Sequence, residues 1–273
     1  MIKRIAILAL MMIVPLSCGT KEYSETKEAK DARYAENRKD RFEFPDLKGR
    51  WVNKRFNTEI KKTRSYWKAC QIKHAWNYIE VKDNQGWIDY NGHEEGYWEY
   101  ECFEIAWEAD WNILTYNYLM PGDKIEDKVW VRKENDNETQ WEYQGKGVMT
   151  FYRIKESYQN YLRRACLAGK YLDSKGHPCE FTVKGSATLN WDMLFGKTPT
   201  DLVYEIGRDS FYRPMDYFTM SFWKGREKQT AEFGFKWRGG NCELYFVTTM
   251  KDELFVKYED KPFEILTPVD SFD

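Results

Sequence analysis

The stretch Leu47-Lys48-Gly49-Arg50-Trp51 returns 120 residues later as Leu167-Ala168-Gly169-Lys170-Tyr171. Both copies place a Gly two residues ahead of a large aromatic, where a polar or helical stretch gives way to alternating apolar residues. Gly tolerates backbone angles and close approaches that other residues forbid. The aromatic then buries a large area at a single position. The repeat divides the body into two comparable halves, and each copy is followed by one short strand pattern after another.

In the first half, Trp76 and Tyr78 lead into Asp83-Asn84-Gln85-Gly86, a turn by composition, and Trp87 to Tyr90 returns toward Asn91-Gly92. Trp98, Tyr100 and Cys102 share one strand face against Glu99 and Glu101. The phase then flips, so that Phe103, Ile105 and Trp107 alternate against Glu104 and Glu108. A one-residue shift inside a continuous strand pattern predicts a β-bulge or a sharp bend. Trp111, Ile113, Tyr116 and Tyr118 run to the turn Pro121-Gly122-Asp123. Val129-Trp130-Val131 and Trp141-Glu142-Tyr143 flank a polar loop from Glu134 to Glu138 as a hairpin, and residues 147–154 supply a last strand.

Residues 156–165 carry helical spacing through Tyr158, Tyr161 and Leu162. Past Tyr171, the turn Asp173-Ser174-Lys175-Gly176 leads to Phe181 and Val183. Strands are expected at Thr188-Leu189, 202–204, 217–222, 231–237, 244–247, 254–256 and 263–265. Short strands at regular spacing with frequent turns predict a mainly β protein, an antiparallel barrel or sandwich in each half. The Leu-x-Gly-x-Trp opening resembles the first strand of lipocalin-like domains, where the Trp plugs the closed end of a barrel. The stretch Lys61-Lys62-Thr63-Arg64-Ser65 is similar to small lipocalin-like bacterial lipoproteins, which carry a short helix between their first two strands. The Gly-x-Tyr opening repeats the pattern. The resemblance implies two lipocalin-like β domains, over 45–156 and, with a linker helix, over 157–273. One barrel divided between the halves is the alternative, but each half holds enough strands to close by itself.

The N-terminus supplies an address. Lys3 and Arg4 precede an apolar run from Ile5 to Leu16 and then Ser17-Cys18-Gly19. That run is too short for a mature spanning helix and reads as an export signal over 1–17. Pro15-Leu16-Ser17-Cys18 resembles the lipobox of bacterial lipoproteins, although Pro15 stands where Leu is usual and Leu16 where a small residue is usual. The resemblance implies that Cys18 is acylated, with palmitate among the chains, and anchors the protein in the cell envelope, at the outer membrane of a Gram-negative bacterium. Residues 18–44 are polar and evenly charged and read as a tether.

A net charge of -2 removes any global argument for nucleic acid, and no basic patch interleaved with aromatics revives it. Acylation of Cys18 leaves Cys70, Cys102, Cys166, Cys179 and Cys242. In an exported protein that odd number allows at most two bridges, for which Cys166 with Cys179 and Cys70 with Cys102 are guesses. The spacings give no zinc site, and no cofactor is implied.

The chain has no nucleophile elbow, P-loop, dinucleotide fingerprint or His-Glu-x-x-His. His93 beside Glu94 and Glu95 reads as a solvated loop rather than an acid-oriented or metal site. His177 near Cys179 would join a soft-metal site only if the fold brought Cys166 or Cys242 close, a disulfide being the favoured fate of the thiols. A hydrolase reading needs converging carboxylates, and the candidates are Glu99 with Glu101, Glu104 with Glu108, and Asp209 with Asp216. Alternation with apolar residues makes the glutamates the wet face of a sheet instead. The aromatic share is 17%, and inward rings either fill a barrel or line a cavity. Trp98, Tyr100, Trp107, Trp111, Phe233 and Trp237 are therefore the candidate ligand-binding residues. The favoured function is a non-enzymatic, lipid-anchored binding or scaffold protein. Its partners are the membrane and a small apolar ligand or glycan. A carbohydrate-binding surface lipoprotein is the alternative, which exposed Trp rings would favour.

Overall fold

The computed structural model describes residues 47–72, 76–82, 85–90, 93–105, 112–120, 123–143, 147–189, 202–208, 213–224, 227–249 and 257–269, and over 85–128 only the backbone. The export signal, Cys18, the tether, Trp107, Trp111, Asp209, His74 and the expected strand at 254–256 lie outside them.

The first half holds β1 (Gly49–Asn53), α1 (Lys54–Thr63), α2 (Tyr66–Cys70), β2 (Trp76–Lys82), β3 (Gln85–Tyr90), β4 (His93–Ile105), β5 (Asn112–Met120), β6 (Asp123–Asn135), β7 (Glu138–Tyr143) and β8 (Val148–Ile154). Each strand pairs antiparallel with the next, and β8 returns to β1, closing an eight-stranded barrel. The phase flip in the sequence is real. Within β4 the register against β5 shifts between Tyr100 and Cys102, so the strand continues through a bulge.

The two short helices of this half have clear local causes. The Asn53 side chain accepts from the amides of Arg55 and Phe56 and starts α1, and the Ser65 hydroxyl does the same for Lys68 in α2. Phe56 and Ile60 give α1 its buried stripe. Arg64 ends it in the left-handed conformation at φ 53°.

The second half holds α3 (Tyr158–Cys166), β9 (Gly169–Leu172), β10 (Pro178–Phe181), β11 (Ser186–Thr188), β12 (Leu202–Ile206), β13 (Asp216–Lys224), β14 (Glu227–Arg238), β15 (Asn241–Thr249), β16 (Lys257–Tyr258) and β17 (Glu264–Pro268). Strands β9 to β15 pair in sequence, β15 pairs β17, and β17 pairs β9, so eight strands join in a ring with β16 added beside β15.

The core does not divide as the strands do. Strand β1 sends Trp51 to one face and Val52 to the other, and both are buried. Trp51 belongs with Trp141 and Phe151, which meet edge to face at 6.1 Å, and Trp76 meets Trp141 at 6.2 Å. Val52 and Tyr78, on the other face, join Phe56, Ile60 and Tyr66 in one continuous cluster with Tyr171, Phe181, Phe218 and Leu266 of the second half. The Tyr78 ring stacks on Tyr158 of α3 with centroids 4.0 Å apart. The helices thus form a shared layer whose hydrophobic cluster joins the two halves, while Trp51, Trp141 and Phe151 pack on the other face of β1, outside that cluster.

Candidate functional site

The two repeated openings are built alike. Trp51 Nε1 donates to the Leu47 carbonyl at 2.8 Å, and the Tyr171 hydroxyl donates to the Leu167 carbonyl. Each aromatic reaches back four residues and satisfies a buried backbone acceptor. An arginine then closes each opening. Arg153 donates to the Lys48 carbonyl and sits 5.0 Å over the Trp51 ring. Gly49 suits that position because its φ of +143° is one that other residues rarely adopt. In the second half Arg64 Nη2 lies 3.5 Å from the carbonyl of Ala168, the counterpart of Lys48, and its guanidinium covers Trp237 at 4.0 Å. The second opening is therefore clamped by a residue of the first half.

Further bonds cross the same layer. The Trp67 amide donates to Asp216 Oδ1 at 2.6 Å, so a carboxylate of β13 caps the start of α2. Burial pushes the Asp216 carboxyl up to about 6, against the opposing pull of Ser65 and the Trp67 amide. The Tyr66 hydroxyl donates to the Arg208 carbonyl at 3.0 Å, and the Tyr161 hydroxyl to Asn57 Oδ1 at 2.9 Å.

The interior of the second ring is occupied. Phe181 meets Tyr204 at 5.1 Å and Phe218 at 5.7 Å, and Phe218 meets Phe233 at 5.4 Å. These rings are at most 3% exposed. An open groove of about 410 Å³ runs along Ala168, Gly169, Lys170, Glu180, Phe181, Thr182 and Val183, at the start of β9 and the end of β10. It is mainly apolar, with Lys170 and Glu180 facing each other across the β9–β10 pair.

The sequence candidates are placed as follows. Phe233 is in the core, 3% exposed. Trp237 is partly buried, donates Nε1 to the Cys166 carbonyl at 2.9 Å, and is covered on one face by Arg64. Trp98 and Tyr100 lie on β4, paired with Tyr118 and Tyr116, and their side chains are outside the described set. Trp107 and Trp111 lie wholly outside it. The structure therefore places Phe233 and Trp237 four residues apart on β14, both packed on the core.

The expected Cys166–Cys179 bridge is absent, and both are buried thiols, as is Cys242. Each thiol packs into apolar core, and burial raises all three well above the ordinary range. Among the described residues no group of three or more His, Cys, Asp or Glu is arranged to hold a metal. His177 bonds Asp173 at 3.2 Å within the expected turn, where Asp173 also accepts from the amides of Lys175 and His177. Asp216, weighed as half of a hydrolytic pair, is spent on the α2 cap.

One outward aromatic stands apart. Trp223 on β13 is 54% exposed, on the face that also presents Val203 of β12. Sequence reading passed over Arg64, Arg153 and Trp223. The available signal was a charged residue ending a basic helix, and a Trp out of phase with the buried Phe218, Met220 and Phe222. Comparison of the chain with protein-family models, curated proteins and solved structures finds no match.

Proposed function

We propose that this chain is a lipid-anchored cell-envelope protein made of two lipocalin-like barrels, acting without catalysis as a binding or scaffold module. The address rests on the basic start, the apolar run and Cys18. The module reading rests on one observation: the second ring is filled by its own aromatics and shares its core with the helices of the first half. Among the described residues, a second ring packed this way presents outer surfaces and an open groove rather than a large cavity of its own. Intact-mass analysis of the membrane-extracted protein tests the anchor. The expected species has lost residues 1–17 and carries an acylated Cys18, and Cys18→Ser is released from the membrane. An unmodified N-terminus sinks the anchor.

The binding role is read by titrating intrinsic Trp fluorescence against fatty-acid and glycan panels. A saturable shift with a fatty acid supports an apolar ligand in a barrel or the open groove. The alternative of a carbohydrate-binding surface is favoured by exposed Trp223, since a solvent-facing ring can stack on a sugar. It predicts a saturable shift with a glycan that Trp223→Ala abolishes, and a shift unchanged by that variant removes it.

A further inference from the structure

The solvent face of α1 breaks the charge pattern of the rest of the chain. Residues 54–68 hold six cations, Lys54, Arg55, Lys61, Lys62, Arg64 and Lys68, against one anion, Glu59, in a chain whose net charge is -2. Arg64 is turned onto Trp237. The other five are exposed. At 100° per residue, Lys54, Arg55, Thr58, Lys61 and Lys62 fall in one arc of roughly 120°, opposite the buried Phe56 and Ile60. Lys68 adds an exposed cation on α2, which packs against α1, and its charge also reaches Asp216. Among the described residues, the carboxylate within ion-pair reach of this arc is Glu59, 4.0 Å from Lys62.

Two of these cations sit where they cost the helix stability. Lys54 and Arg55 occupy the first turn of α1, which has no acidic residue, and the helix dipole disfavours positive charge there. Lys54 is offset within the fold by the Tyr152 ring, which its ammonium overlies at 5.5 Å, and by the charge of Glu138, whereas Arg55 is exposed in that first turn. An anionic surface would offset Arg55.

We infer that the basic arc of α1 docks on the anionic phospholipid headgroups of the membrane that anchors the chain. The inference rests on the lipid-anchored reading proposed above. Residues 19–46 lie between Cys18 and the described body, and a chain of that length reaches at most about 100 Å. An anchor at Cys18 therefore confines the body near the surface. Each lysine or arginine brought to an anionic surface then gains about fivefold in partition. Charge complementarity thus selects one face of a body already confined. It turns that helical layer toward the membrane and leaves the rest of the surface free for other contacts.

The test uses the acylated full-length product in vesicles of neutral phosphatidylcholine, or of the same lipid with phosphatidylglycerol. Lysine acetylation by a water-soluble ester is followed residue by residue by mass spectrometry. Flotation is scored first, and failure to float overturns the anchor and with it the docking face. With flotation intact, Lys54, Lys61 and Lys62 are expected to react about fivefold more slowly on the anionic vesicles. High salt erases the difference, and exposed Lys175 and Lys228 of the second half react equally on both. An Arg55→Gln/Lys62→Gln variant loses the protection at Lys54 and Lys61. Equal rates on the two vesicle types, or slowing shared by Lys175 and Lys228, overturn the docking face while leaving the anchor standing. Equal protection by soluble polyphosphate over neutral vesicles also overturns it, in favour of a soluble polyanion.

Discussion

The guanidinium of Arg64 lies 4.0 Å over the ring of Trp237, a cation from the first half of the chain held against an aromatic from the second. Trp237 in turn contacts Tyr171 at 6.3 Å, the aromatic of the repeated opening. In the first half the same place over Trp51 is taken by Arg153, from the strand that closes its own barrel. The repeat is thus matched in its hydrogen bond back four residues and in an arginine on the carbonyl after the Leu. It is not matched in detail: Gly49 has a positive φ and Gly169 does not, and the second arginine comes from the first half and lies over Trp237.

Two substitutions at Arg64 separate what its side chain does from what its backbone costs. Loss of the cation over Trp237 costs about 1–2 kcal/mol at a partly buried site. Arg64→Ala suffers this loss and keeps the left-handed φ of 53°. Arg64→Gly suffers it too but relieves roughly 1 kcal/mol of backbone strain. Urea unfolding is expected to rank wild type above Gly and Gly above Ala, and a wild-type-like Ala variant would show that the clamp is idle.

The two openings predict losses of the same kind. Trp51→Phe and Tyr171→Phe each leave a buried carbonyl, Leu47 or Leu167, without its side-chain donor. An unmet buried acceptor costs about 1–3 kcal/mol. Tyr171→Phe keeps its ring, whereas Trp51→Phe also loses half of a fully buried indole and opens a cavity. Equilibrium unfolding is expected to show both variants destabilised, Trp51→Phe by more. A neutral Tyr171→Phe would break the equivalence.

Much of this architecture is legible in the sequence because period-2 alternation and turn chemistry are local. The bulge at Tyr100/Cys102 is visible as a phase flip, and the 120-residue echo marks the start of each ring. What the sequence does not show is set by long-range packing. Val52 and Tyr78 read as residues of a barrel, yet they face the helices and join the core of the other half. Asp216 reads as one acid among many, but its role depends on α2 arriving 149 residues away in sequence. The site candidates rested on aromatic character, which does not separate Phe233 in a filled core from Trp223 in solvent.

The thiols are expected to be silent in the native protein. Cys166 and Cys242 are fully buried and Cys179 is 4% exposed. Burial raises Cys179 to about 12 and the other two further, so little thiolate exists at neutral pH. Iodoacetamide followed by peptide mass analysis should leave all three unmodified when folded and alkylate all three in denaturant. Rapid native labelling of Cys166 would mean that the shared core opens.

Asp216 gives the protein a pH dependence of a definite sign. Burial raises its carboxyl from an ordinary value of 3.8 to about 6, so the folded state holds the proton more tightly than the unfolded chain. Its favourable contribution is complete below about pH 4 and is lost as pH rises through about 6, a swing of roughly 3 kcal/mol. Asp173 has its carboxyl held below the ordinary range by His177 and turn amides despite burial, and it works in the opposite sense at lower pH. The comparison must therefore be made against Asp216→Asn, which keeps an acceptor for the Trp67 amide and has no charge to bury. The stability of wild type relative to that variant should fall between pH 4 and 7. A difference that stays flat, or that rises with pH, would show that the α2 cap carries its charge without cost.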